Sequence, residues 1–144
     1  MIREHFACRE TITTILADRS EDIAVARDAM LAARADLESY ISSDPFFQVT
    51  YDPVAVPSSA PLVVRRMADA GSAAGVGPMA AVAAAIAWAG TEAMQKNGAS
   101  FGLVDNGGDI AVFSDRTVRI GIHAGSAPSS DPFAFLLPPH PQIY

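Results

Sequence analysis

The chain has 144 residues, half of them hydrophobic, with a formal net charge of −6 and a mean hydropathy of +0.22. That is one domain's worth of chain, long enough to bury a core. Its acidity works against nonspecific nucleic-acid binding, which needs a basic footprint, and its lone cysteine, Cys8, rules out an intrachain disulfide framework.

Residues 2–17 have the β-branched density of one or two strands, with Thr11, Ile12, Thr13, Thr14 and Ile15 consecutive. The opening MIREHFACRE carries charges throughout and no apolar h-region, so no secretory signal is expected and the cytoplasm is the expected compartment. Asp18, Arg19 and Ser20 make a turn, and Ser20 is placed to cap a helix whose first turn carries Glu21 and Asp22. Within that helix Ile23, Ala26, Met30, Ala33, Leu37 and Tyr40 form an amphipathic stripe, and Arg34 with Glu38 is an i,i+4 pair.

Asp44-Pro45 ends this helix. The segment up to Pro61, punctuated by Pro45, Pro53 and Pro57, predicts an ordered loop crossing between layers. A second helix starts at Pro61 and runs to about Ala74, presenting Leu62, Met67, Ala70 and Ala74 to one side. Gly75-Val76-Gly77 turns the chain into a third helix from Met79 onward, with Met79, Val82, Ile86 and Ala89 on one face. Its alanines Ala80, Ala83, Ala84 and Ala87 let a neighbour approach closely. Residues 70–91 carry no charge over a length near the ~20 residues of a membrane span, but Gly75, Gly77 and Pro78 interrupt them. The expectation is a buried core helix and no membrane partner.

Asn97-Gly98 is a helix stop signal. Strands are predicted at about 100–105, 109–113 and 117–123, with turns at Asn106-Gly107-Gly108 and Ser114-Asp115-Arg116; a further strand falls at 133–137. The NG signal favours a hairpin between the first two. The fold class is α+β, one domain over residues 1–144. The apolar fraction is high for so small a chain, and burial against a partner, a second copy in the first instance, is expected.

Two glycine-rich segments are candidate sites. In Asn106-Gly107-Gly108-Asp109, amides free of side chains could approach a phosphate or carbonyl edge while Asp109 orients a hydroxyl or a metal-bound water. An ordinary hairpin turn explains the same residues. In Gly75-Val76-Gly77-Pro78-Met79, glycines precede a helix N-terminus that could hold an anion. A helix–helix corner with proline at the first helical position is the plainer reading. His123 closes a strand without a second histidine at ligand spacing; His5 and His140 carry no pattern. Ser126, Ser129 and Ser130 lack a nucleophile elbow, Cys8 reads as a small core residue, and the Arg65-Arg66 pair reads as a solvated helix face.

The order GVGPMAAVAAAIA, then DNGGDIAVF, then VRIGIHAG resembles the ApbE superfamily of FAD-dependent flavin transferases, in its uncharacterised short branch. LESYISSDPFF and SSAPLVVRRMADAGSAAG are similar as well, so the likeness covers nearly the whole chain. The resemblance implies an ApbE-like fold, a central mixed or antiparallel sheet flanked by helices, with FAD in a cleft and magnesium assisting pyrophosphate chemistry. Gly77, Pro78 and Met79 would stand at the helix entry, and Asn106, Gly107, Gly108 and Asp109 beside the nucleotide.

Two departures follow from the same resemblance. Ala81 stands where the transferases carry a lysine, and the family's C-terminal half would come after Tyr144. The expectation is therefore an incomplete ApbE-like domain that binds a flavin or related nucleotide, with no catalytic residue or metal ligand assigned. The alternatives are a non-catalytic oligomeric module for a small anionic metabolite and a structural subunit whose apolar face completes a partner.

Overall fold

The computed structural model describes residues 1–8, 11–122 and 133–144. The β-branched N-terminal run folds as two antiparallel strands, β1 (Ile2–Cys8) and β2 (Thr11–Ala17). β3 (Phe101–Asn106) pairs with β2, and β4 (Asp109–Ser114) pairs with β3 across the NGGD hairpin, giving an antiparallel sheet of order β1-β2-β3-β4. The class is α+β, with no parallel pairing among the described strands.

Register decides the two faces. Ile15 lies opposite Val104, and Val104 opposite Ala111, so alternation puts these three with Ala17 and Phe113 on one buried face. That face is covered by helix α1 (Ser20–Ser43) and helix α4 (Val82–Lys96), which pack on each other as well. Helix α3 (Leu62–Ala74) lies against α1, α4 and the 3₁₀ turn Pro78–Ala81. On the other face Phe101, Leu103 and Val112 form a second cluster. Its cover is Val118 and Leu137, from an antiparallel ribbon of β5 (Val118–Gly121) and β6 (Ala134–Leu137). The helices therefore stand on one face of the sheet.

Several local expectations need correction. The residue flanking α1 is Arg19, not Ser20, and no side chain caps the helix; Arg19 instead reaches Asp22 with Nε at 2.8 Å and an Nη at 2.6 Å. The stripe holds, with Ile23, Ala26, Met30 and Leu37 buried. The proline-rich loop contains a short helix, α2 (Phe46–Val49), whose Phe47 is buried and meets Tyr40 edge-on.

Helix α3 buries Val63, Val64, Met67, Ala68 and Gly71, while Leu62, Ala70 and Ala74 face outward. Close backbone packing sets that face: a Cβ on Gly71 would stand 2.8 Å from the Val76 carbonyl oxygen. Helix α4 proper begins at Val82, after the 3₁₀ turn, and buries Ala85, Ile86, Ala87, Gly90, Thr91 and Met94. Among the described residues no single helix is long and apolar enough to cross a membrane, and Leu62–Ala74 and Pro78–Lys96 are bent by 109° where they meet.

Candidate functional site

The two glycine segments come together at one end of the sheet–helix layer. Asn106, the last residue of β3, is 95% buried in effect, with only 5% of its surface exposed. Its Oδ1 accepts a hydrogen bond from Thr13 Oγ1 at 3.0 Å, and its Nδ2 donates to the Ala83 carbonyl at 3.0 Å. One amide thus ties β2 and β3 to the first turn of α4. Gly107 and Gly108 project beyond it as an exposed turn, both with positive φ, and the Gly108 N–H donates to Asp105 Oδ1 at 2.9 Å. Asp109 is exposed at the start of β4.

At the other segment Gly77 and Pro78 are buried and Met79 is half-buried. A Cβ on Gly77 would lie 2.1 Å from the Thr50 carbonyl oxygen, so the chain can cross here only without a side chain. Gly77, Met79 and Ala80 line a groove with Gln48, Val49, Thr50, Tyr51 and Val76. Gln48 and Met79 also line the next cavity, together with Leu37, Ile41, Val82 and Ile86. Arg34 and Ile86 carry on into a small pocket walled by Phe6, Thr13 and Asn106.

The result is a groove of three adjoining hollows along α1 and the start of α4, each sharing lining residues with the middle one. It unites Asn106, Gly77 and Met79, and leaves Gly107, Gly108 and Asp109 outside its lining. Sequence reasoning missed Arg34, Gln48, Tyr51 and Ile86 as lining residues. The i,i+4 pair of Arg34 and Glu38, formed at 3.1 Å, was visible without any sign that it borders a cavity.

Other polar groups are committed to the fold. Arg66, half-buried, bonds Glu92 at 3.0 Å, while Arg65 stands on an exposed helix face with its Nε donating to the Ala60 carbonyl at 3.1 Å. Burial alone would raise the Glu92 carboxyl, but the bonds from Arg66 and Lys96 outweigh it and hold the group below its ordinary range. Asp22 is 1% exposed and is likewise held low, chiefly by the Arg19 bonds against the cost of burial, with Asn97 Nδ2 donating at 2.9 Å. His5 meets Thr14 Oγ1 at 2.9 Å, and His140 stacks on Tyr144 at 3.9 Å. His123, Ser126, Ser129 and Ser130 lie outside the described residues, as does the Cys8 side chain.

Among the described residues no group of three or more His, Cys, Asp or Glu side chains is placed to hold a metal ion. Asp105 accepts a hydrogen bond from the Gly108 N–H through Oδ1, and Asp109 stands on the exposed turn.

Comparison with known proteins gives consistent matches. The family model described as AbpE bacteria matches residues 3–143. The UPF0280 protein of Methanocorpusculum labreanum is 59% identical over 143 residues, covering 99% of this chain and 61% of the relative. The UPF0280 protein of Methanosphaerula palustris is 56% identical over 144 residues, 100% of this chain and 60% of the relative. That of Methanospirillum hungatei is 51% identical over 143 residues, 99% of this chain and 58% of the relative. The chain spans about three fifths of the length of these curated relatives.

These findings overturn the resemblance to the ApbE flavin transferases. Neither the matching family nor these relatives is designated a flavin-binding or flavin transferase family, so FAD binding and FMN transfer are withdrawn as readings of this chain. The motifs that suggested them were short runs of glycine and alanine, and their glycines and Asn106 have the packing and turn roles just described. By the match over residues 3–143, the chain belongs to the family AbpE bacteria.

Proposed function

We propose that this chain is a small-molecule-binding domain whose ligand lies in the groove beside Arg34 and Met79. The observation that carries the reading is adjacency: the cavity lined by Arg34, Leu37, Ile41, Met79, Val82 and Ile86 borders one neighbour at Gln48 and Met79 and a smaller one at Arg34 and Ile86. Leu37, Ile41, Met79, Val82 and Ile86 give it apolar walls, while Gln48 and the ion pair of Arg34 with Glu38 supply polar groups. A lining about as polar as it is apolar suits an organic ligand with an apolar body and a polar head. The reading is one of binding, and no side chain in the groove is assigned a catalytic role. A cytoplasmic location is part of the same proposal: a chain with one cysteine has no pair for an intrachain disulfide, in keeping with a reducing compartment.

The test uses 1-anilinonaphthalene-8-sulfonate, which has an aromatic body and an anionic head. The native protein is expected to bind it saturably at one site, and Met79→Glu and Arg34→Ala are each expected to weaken binding about tenfold, the former by placing charge in the apolar wall. Circular dichroism checks that both variants are folded. Dye binding that neither substitution changes would remove this groove as the site.

A further inference from the structure

The β5–β6 ribbon has an apolar face that only partly meets the rest of the protein. Val118 pairs with Leu137, and both pack on the Phe101–Leu103–Val112 cluster. Farther along, Ile120 pairs with Phe135, and the Ile122 N–H donates to the Phe133 carbonyl at 2.9 Å. Alternation places all of these side chains on one face of the ribbon. Yet Phe133 is 67% exposed, Phe135 62% and Ile122 51%. Large aromatic and branched side chains in one uncharged row are what a covered surface looks like.

We propose that this face docks the polypeptide that makes up the remaining part of the longer relatives, about two fifths of their length. Relatives 51–59% identical across nearly this whole chain carry that additional length beside a domain of this build. The helix-side face of the sheet is covered by α1 and α4. The free edge of β4 is taken too, because Val112 and Ser114 exchange backbone hydrogen bonds with Tyr144 and His140. Among the described residues the ribbon brings the bulkiest open apolar side chains to the sheet, while Ile2 and Ile12 stand open singly on β1 and β2. A second copy of this chain is the less favoured occupant, since each copy carries a net charge of −6.

Hydrogen exchange on this chain and on the whole Methanocorpusculum labreanum protein tests the proposal. Amides of the relative matching Ile120, Gly121, Phe135 and Leu136 are expected to exchange at least about tenfold more slowly than here, while those matching the middle of α1 change by less than about twofold. Equal ribbon rates in the two proteins would overturn it. So would sedimentation showing that this chain alone forms dimers which Phe133→Ser with Phe135→Ser dissociates, because the second copy would then be the occupant.

Discussion

At residues 75–79 and again at 106–109 the chain places two glycines within a few positions; Gly75 shares with the second pair a positive φ, but Gly77 and Gly108 are needed for opposite reasons. Gly77 has φ −66, a value open to any residue, but its missing side chain leaves room for the Thr50 carbonyl. Gly108 has φ +104, a value that side chains resist, yet nothing stands within 4 Å of where a Cβ would be. One glycine answers crowding and the other answers backbone geometry. Only the crowded one adjoins the groove, so glycine content alone does not mark where a ligand lies.

The largest effect should come from Gly77→Ala. A methyl group 2.1 Å from a carbonyl oxygen cannot be absorbed by side-chain motion, because both neighbours are backbone. Destabilisation of about 3 kcal/mol is expected from overpacking of this kind, read from the urea midpoint at constant m-value. Groove binding should weaken along with it, since the displaced loop carries Gln48 and Tyr51. An unchanged midpoint would mean that the crossing at Thr50 is loose, and the contrast between the two glycine segments would fail.

A second polar tie, distant in sequence from both turns, gives the contrast a reference. Asp22 joins Arg19 at the start of α1 to Asn97 just after α4. Its carboxyl is held below the ordinary range by the Arg19 bonds, so the stability it adds is fully present above the unfolded pKa of about 3.9 and is lost as pH falls through the folded value. Asp22→Asn should cost about 2 kcal/mol at pH 7. It should also reduce the fall in stability below about pH 4, where a depressed carboxylate loses its contribution. An unaltered pH dependence would show that other carboxylates set it.

Asn106→Ala should come next, at about 1–2 kcal/mol, because it leaves Thr13 Oγ1 and the Ala83 carbonyl without their partner in a buried place. Here the two segments cease to be independent, since the residue opening the exposed turn holds the helix that follows the crowded corner. Thermal unfolding of the variant gives the stability change, and dye binding reports whether the α4 entry has shifted. Loss of stability with unaltered binding would confine Asn106 to a structural role.

The legible part of the molecule was whatever local pattern determines. The stripe from Ile23 to Leu37 and the NG hairpin at 106–109 could be read because periodicity and turn chemistry act over a few residues. The face of α3 could not, because Leu62, Val63 and Val64 permit two rotations, and the choice rests on Gly71 meeting the Val76 carbonyl. Nor could the groove, which takes Arg34 from α1, Gln48 from α2 and Met79 from a 3₁₀ turn that reads as helix in the sequence. The resemblance to flavin transferases went wrong at the same level. It rested on the order and spacing of short motifs, and motif order says nothing of whether an amide is free, as the Gly108 N–H bonded to Asp105 makes plain.

Gly108→Ala is the smallest effect and the one that sharpens the contrast most. With open space around the site, an added methyl meets nothing, and the whole cost is that of holding a side chain at φ +104. For an L-residue in the left-handed region that is about 1–2 kcal/mol, and relaxation of an exposed two-residue loop should bring it to the lower end. Groove binding should be unchanged, because Gly107, Gly108 and Asp109 lie outside its lining. Urea unfolding and dye titration on the same sample measure both. If binding fell while stability moved by about 1 kcal/mol or less, the turn would have to act on the ligand directly, and the groove would extend past Asn106 to the exposed glycines.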